Sequence, residues 1–419
     1  MSAPRLRRLL RTLAIDTGPL RRRREFRLLF IGQAVSLTGS MITYVAIPFQ
    51  VYDLTGSTLA VGLLGLVELV PLLVTALLGG ALADAHDRRR LVLLADTALL
   101  ALALVLVANA LLGEPQVWVL FVVAAGMSAA GGLQRPPLDA MLPRLVPRDE
   151  LAAASALDGF RGNAAQIAGP ALGGVLIATV GIAATYAVDA ATFLVSVAAL
   201  ARMRAVPPPP DAAPPSLARI RAGWRYARSR QELIGTYAVD INAMLFGIPV
   251  ALFPAVAERY GGPEVLGLLY AAEPVGATLF TLLSGWVGRV RRHGKAVALS
   301  AAAYGAAIVA FGFAGSLAFA LAALAAAGAA DMSSGIFRQT LWNQTIPDRM
   351  RGRLAGIEQL SWSIGPTLGT ARSGALASVT SVRFSIVSGG IACVAGTVVL
   401  AALLPRFWRY EAEAEAVSA

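Results

Sequence analysis

The sequence predicts an all-α integral membrane protein built from two related six-helix halves, and three observations lead there. The first is composition: 57% of the 419 residues are hydrophobic, only 15% are charged, and mean hydropathy is +0.66. Soluble domains carry roughly 25% charge. The second is an internal repeat. The stretch from Gly62 to Arg90 and the stretch from Gly267 to Lys295 align at a constant offset (267 − 62 = 205). It pairs Gly62 with Gly267, Leu63 with Leu268, Leu64 with Leu269, Glu68 with Glu273 and Gly80 with Gly285. Repeats of this kind are expected of transporters. The third is charge placement. Nine arginines lie between Arg5 and Arg27, and others cluster at 88–90, 135–148, 202–230, 289–295, 338–353 and 406–409. These are alternate loops or loop-proximal helix ends, the pattern by which positive charge sets orientation in a membrane.

Taken in order, a basic tail (residues 1–26) comes first. It lacks the apolar core and cleavage site of a signal peptide. Leu6, Leu9, Leu10 and Leu13 recur among its arginines at helical spacing, as in an interfacial helix or a disordered basic segment. Apolar runs of about 20 residues mark membrane spans. Six fall near 27–51, 59–83, 91–112, 117–138, 151–178 and 183–203, forming a first bundle over 27–204. Six more fall near 233–257, 265–288, 296–313, 317–341, 354–378 and 383–404, forming a second over 233–404. Between them, residues 205–232 begin with four consecutive prolines from Pro207, a semi-stiff linker. They continue with Leu217 to Arg230, which sets Leu217, Ile220, Trp224 and Ala227 on one side of a helix and arginines on the other. A helix lying on the cytoplasmic membrane surface and a solvated linker helix both fit that pattern. Residues 405–419 form a second tail, returned to the arginine-rich side by an even number of crossings. Loops on the far side, at 113–116, 180–184 and 315–317, are too short to fold as a domain.

Several function classes drop out. The net charge of +11 follows the loops, so it specifies orientation rather than a nucleic-acid partner. One cysteine, Cys393, and two histidines, His86 and His293, both in polar turns, predict no intrachain disulfide, no metal site and no cofactor. No His-rich or Ser/His/Asp grouping points to an enzyme. The expected partners are a small-molecule substrate, protons and membrane lipid. The expected form is a monomeric multi-pass protein of the cytoplasmic membrane with both termini in the cytoplasm.

A carboxylate at mid-span costs about 2.5–3.5 kcal/mol on insertion scales, so its presence asks for a reason. Glu68 and Glu273 stand at equal depth in the second and eighth spans, Asp331 in the middle of the tenth and Asp240 in the inner third of the seventh. All four are candidates for carrying a coupled proton, because low dielectric lets a carboxyl take up and release one near neutrality. Static ion pairing is the competing account, with Arg161 and Arg372 in the fifth and eleventh spans as buried charge partners. Gln33, Tyr44, Gln50, Asn163, Gln166, Trp342 and Trp362 are candidates for the wall of a substrate cavity, where aromatics suit a large, partly apolar ligand.

The turn Gly80-Ala-Leu-Ala-Asp-Ala-His-Asp-Arg-Arg-Arg90 resembles the signature between helices 2 and 3 of the major facilitator superfamily, Gly-x-Leu-Ala-Asp-[Arg/Lys]-x-Gly-Arg-[Arg/Lys]. Gly80, Leu82, Ala83, Asp84, Arg88 and Arg89 match, while Ala85 and Asp87 depart. Gly80 permits close helix approach, and Asp84 suits a neighbouring helix N-terminus, where a carboxylate gains about 0.3–1 kcal/mol. The resemblance implies a gating latch of Gly80, Asp84, Arg88 and Arg89 at the inner mouth. Arg289 stands in the place of Asp84 in the second copy.

The run Ala165-Gln-Ile-Ala-Gly-Pro-Ala-Leu-Gly-Gly174 resembles the helix-5 pattern of the superfamily's proton antiporters. Gly169, Pro170, Gly173 and Gly174 match, Ala165 replaces a glycine, and Gly365-Pro-Thr-Leu-Gly369 repeats the bend in the eleventh span. The bend implies an exporter rather than an importer; helix packing alone is the competing account. The arginine that antiporters carry in the outer half of the fourth span is missing, and Arg135 and Arg338 sit near the inner ends of the fourth and tenth instead. In this superfamily the second and eighth spans line the cavity while the third and sixth are peripheral, which implies structural roles for Asp96 and Asp189. Leu269-Tyr-Ala-Ala-Glu-Pro-Val-Gly-Ala277, the prolines at 207–210, and Arg351-Gly-Arg-Leu-Ala-Gly356 with Gln359 are similar to the enterobactin exporter group, whose branch also holds macrolide and other drug efflux proteins. The resemblance implies the major facilitator fold. It also implies export of a siderophore or hydrophobic drug by alternating access, driven by inward proton flow. A multidrug or macrolide-type pump is the alternative, and an importer the more distant one.

Overall fold

Apolar runs in hydrocarbon have no water to satisfy their backbone groups, so they bond them internally as helices. The computed structural model describes residues 16–207 and 225–411, except for the side chains of 348–353 and 355–362. Every regular element among the described residues is helical. The first set comprises α1 (Gly18–Arg22), α2 (Arg24–Thr55), α3 (Thr58–Ala85), α4 (Arg88–Ala110), α5 (Val117–Leu145) and α6 (Leu151–Ala201). The second comprises α7 (Gln231–Gly247), α8 (Phe253–Tyr260), α9 (Pro263–Leu282), α10 (His293–Gly312), α11 (Leu317–Thr345), α12 (Asp348–Val379), α13 (Val382–Leu403) and α14 (Pro405–Trp408). Ten helical segments among the described residues are long and apolar enough to cross a membrane, α7 and α8 counting as one. The 51-residue α6 is broken at Gly181, whose φ of 82° and ψ of 171° belong to glycine. Leu6 to Leu13, most of the linker and amphipathic segment, and the side chains of Gln359 and Trp362 lie outside the described residues. From the end of that segment, Ala227 is buried and Tyr226 donates to the Thr345 carbonyl at 3.0 Å, so it packs against the end of α11.

Local chemistry sets the helix ends. Ser57, Asp87, Ser316 and Ser381 each accept a bond from a first-turn amide, at 3.2, 3.0, 3.3 and 3.1 Å, satisfying donors that a helix start leaves orphaned. Inside α3, α9 and α12, Thr75, Thr278 and Thr370 bond the carbonyls of Pro71, Pro274 and Pro366 four residues earlier, at 2.8, 2.9 and 2.9 Å.

Within the first set α2 packs on α6, α3 on α5, and α4 on α5 and α6; within the second α10 packs on α11 and α13, α9 on α11, and α7 on α12 and α13. The sets join chiefly through α6 on α9 and α3 on α12, with smaller contacts of α2 on α8 and α9. Exposed apolar side chains such as Leu111, Trp118, Phe160, Leu194, Phe384 and Val398 suit a lipid surrounding that is itself as apolar as leucine.

Two buried acids of the first set, Asp96 and Asp189, have neutral donors. Asp96 accepts from Gln33 Nε2 at 3.1 Å, from Ser196 Oγ at 2.5 Å and from Gln134, tying α2, α4, α5 and α6 together. Asp189 accepts from Thr43 at 2.5 Å and Thr192 at 3.3 Å. Gln33, expected on a cavity wall, is therefore buried in the bundle, because a carboxyl in the core needs its amide.

Candidate coupling and substrate site

Glu68 on α3 and Glu273 on α9 stand at corresponding positions near the seam between the two sets, each within reach of the Tyr44 ring of α2. Tyr44 and Tyr270 meet edge to face, centroids 5.4 Å apart at 78°, and Phe253 stands behind Tyr270 at 5.1 Å and 89°. Tyr44 lies within electrostatic reach of both Glu68 and Glu273. Glu273 is also within reach of Asp331 on α11, and Tyr304 on α10 is within reach of both of those acids. Glu273 Oε1 and the Tyr270 hydroxyl are buried without a hydrogen-bond partner among the described residues. Among the described residues no guanidinium pairs with these three acids. Arg161 pairs with Asp158 one turn earlier in α6, at 2.7 Å. Arg372 donates to the carbonyls of Leu245 and Phe246 at 2.9 and 2.8 Å. The expectation that these arginines partner the coupling acids is thus corrected: each finds a nearer acceptor. Asp240 stands apart from the cluster, in a buried ion pair with Arg338 whose side chains are 5% and 6% exposed.

Around this seam the two sets touch backbone to backbone at the end remote from the arginine-rich turns. Gly374 approaches Gly62 so closely that a Cβ there would meet Gly62 Cα at 2.9 Å and also the Thr58 carbonyl. Across the other pair, a Cβ on Gly174 would meet the Gly267 amide at 2.9 Å and the Pro263 carbonyl at 2.5 Å. Thr58 Oγ1 donates to the Gly374 carbonyl at 3.1 Å, and Tyr52 donates to Glu258 at 3.3 Å. Glu68 lies six residues beyond Gly62 and Glu273 six beyond Gly267, about 9 Å along each helix at 1.5 Å per residue. Further along, Val70, Val74, Leu77 and Leu78 of α3 and Leu279, Leu282, Leu283 and Trp286 in and after α9 are exposed.

The cavity candidates divide. Asn163 and Gln166 are exposed on α6, about two turns and one turn respectively before Pro170 on the face that meets α9, and Tyr44 is exposed at the seam. Gln50 is buried and accepts the Tyr186 hydroxyl at 2.9 Å, while Trp342 donates to Thr236 at 2.9 Å against the Tyr237 ring. Both serve packing, correcting their assignment to the cavity. The glycines of the helix-5 pattern also pack: Gly169 against Met41 and the Thr38 carbonyl, Gly173 against Ile42, and Gly174 against α9.

At the arginine-rich end, the residues of the expected latch bind within one set. Arg88 is buried and donates to the Ala83 and Ala140 carbonyls at 3.3 and 3.0 Å. Arg89 donates to the Leu200 and Ala201 carbonyls at 2.7 and 2.8 Å. Asp84 is half-buried and bonds neither arginine. Asp87 is the residue that caps α4, and its Oδ1 also accepts the Val206 amide at 3.0 Å. Close helix approach belongs to Gly79, where a Cβ would meet the Leu133 carbonyl at 2.9 Å, and not to Gly80, where it would meet nothing within 4 Å.

Comparison with known proteins agrees with this architecture. The family described as Transmembrane secretion effector matches residues 16–418. Enterobactin exporter EntS of Citrobacter koseri is 31% identical over 87% of this chain and 88% of its own length. EntS of Shigella boydii serotype 18 is 30% identical over 90% of this chain and 92% of its own. Among solved structures, a nucleoside transporter NupG mutant superposes with a TM-score of 0.73 at 14% identity, covering 91% of this chain and 99% of that one. A peptide transporter POT mutant gives 0.72 at 13%, covering 93% and 96%; at such identities the likeness concerns the fold. The chain belongs to the Transmembrane secretion effector family of the major facilitator superfamily of membrane transporters.

Proposed function

We propose that this transporter exports a siderophore or hydrophobic small molecule from the cytoplasm by alternating access, with protons moving inward through Glu68 and Glu273. In this reading twelve spans form two six-helix bundles, 27–204 and 233–404. α6 counts as two spans across Gly181 and α12 as the eleventh, and both termini face the cytoplasm.

One observation carries the reading. The sets are sealed by glycine contacts at one end, and an acid stands about 9 Å inside each seal, at a seam whose other end leaves apolar side chains exposed. A seal that needs two backbones in contact is either closed or broken, which gives two discrete states. Substrate enters from the arginine-rich side while the seal holds. A carboxylate left charged in a closing apolar cavity costs about 2.5–3.5 kcal/mol, so a proton taken up by Glu68 or Glu273 favours closure and its release accompanies reopening. The Tyr44 and Tyr270 rings, apolar in body and polar at the tip, suit a bulky amphipathic ligand. The relatives' names, enterobactin exporters, support the direction of transport and the substrate class.

The experiment compares enterobactin secretion and drug susceptibility in a strain lacking its own exporters, with and without this chain. Increased secretion supports the siderophore; raised drug tolerance alone supports the efflux alternative; no change in either contradicts export.

A further inference from the structure

Far from the Glu68–Glu273 seam, α2, α5 and α6 leave a niche of about 200 Å³ between their arginine-rich ends. Its walls combine apolar Phe26, Phe30 and Leu142 with charged Asp139, Asp158 and Arg161. Arg161 is 12% exposed; its Nη2 holds Asp158 at 2.7 Å, while its Nε is buried with no partner among the described residues. A buried donor left unpaired is costly, so the niche asks for an acceptor. The two carboxylates, Asp158 bonded to Arg161 at 2.7 Å and Asp139 exposed with Arg135 at 3.9 Å, keep oxygens that can accept a further donor. A hydroxyl supplies both, and the phenylalanine and leucine side chains suit an apolar body. Size narrows the ligand further. A cavity of about 150 Å³ takes up benzene, so the niche holds one ring-sized group with its polar substituents and not a whole large substrate.

We propose that this niche is a first docking subsite for a hydroxyl-bearing, ring-sized group of the transported molecule, reached from the cytoplasmic side before the substrate moves to the central seam. The proposal rests on the export reading, yet its test is equilibrium binding, which needs no transport. Hydroxylated lipid headgroups share this chemistry, so the test separates the two sources.

The full-length protein in phosphatidylcholine nanodiscs is titrated with 4-fluorophenol and with fluorobenzene, followed by ¹⁹F NMR. Saturable binding of 4-fluorophenol at least fivefold tighter than fluorobenzene is expected. Leu142→Trp, which fills the niche without touching its charges, and Arg161→Gln should each weaken phenol binding at least tenfold. The two ligands compared on the unaltered protein, and Leu142→Trp alone, decide the matter if Arg161→Gln does not fold. Equal binding of both ligands, or phenol binding unchanged by Leu142→Trp, overturns the proposal. So does loss of phenol binding when phosphatidylglycerol replaces phosphatidylcholine, which assigns the niche to lipid. Phenol binding in a protein that exports nothing keeps the subsite and removes the export reading. Export that continues without niche binding removes the subsite alone.

Discussion

The turn after α3 and the turn after α9 occupy the same place in the repeat and are held in opposite ways. The first is an anchor. Asp87 caps α4 and Arg88 and Arg89 bond carbonyls of α3, α5 and α6, so one turn fastens four helices. The second, Ser284–Arg289, is a 3₁₀ turn with no buried residue, and the nearby Arg292 pairs with Glu411 beyond α14. An acid in the right place separates the two, because Arg289 stands where Asp84 does and no carboxylate replaces Asp87. The first turn is thereby held by guanidinium bonds to neighbouring helices, whereas the second relies on packing, with Trp286 against Phe280 and Phe337 and the buried His293 bonded to the Val290 carbonyl at 2.9 Å.

Substitution breaks or sharpens that contrast. Arg88→Ala should lower the thermal stability of the purified protein by roughly 1.5–3 kcal/mol, the worth of a hydrogen-bonded buried charge. Arg291→Ala, on an exposed residue of the second turn, should stay within about 0.5 kcal/mol. Comparable losses would dissolve the distinction. At the seal, Gly374→Val forces a side chain into the Gly62 and Thr58 backbone, an overpacking cost of about 1–3 kcal/mol that falls only on the sealed state. That shifts the balance toward the opposite state by roughly 5–150-fold, read as increased cysteine accessibility from the far side. Gly285→Val, with nothing within 4 Å, should leave accessibility unchanged.

The smallest effect concerns the loop before α6. The Arg23 guanidinium, bonded to Glu150 at 2.9 Å with Arg22 nearby, holds the Glu150 carboxyl below its usual value of 4.5. A depressed carboxylate stabilises the fold above its unfolded value and loses that contribution as pH falls through its folded value. Wild type should therefore lose slightly more stability than Arg23→Gln as pH drops below about 4.5, the ordinary range for glutamate. Parallel pH–stability curves would remove the pair from the account.

Much of this was legible in the sequence, and the misses share a cause. Hydropathy and the offset repeat gave the helices and the paired acids, because both depend on local composition. Asp158 lies one helical turn before Arg161, and that spacing alone signals a pair, nearer than any acid on another span. Gly62 and Gly374 are far apart in the chain, and only the meeting of α3 and α12 makes them neighbours. The network of Gln33, Asp96, Gln134 and Ser196 needs four helices at once. The turn motif pointed to Asp84 and Gly80, whereas Asp87 and Gly79 do the capping and packing, a shift that depends on where α3 ends.

The central claim is that Glu68 and Glu273 carry the coupled protons. It is tested most directly by enterobactin uptake into everted vesicles bearing the Glu68→Gln, Glu273→Gln protein, with and without a pH gradient. The account predicts that substrate exchange without a gradient continues, membrane insertion is intact, and gradient-driven accumulation falls at least tenfold and loses its pH dependence. Accumulation at the wild-type rate with unchanged pH dependence would contradict it.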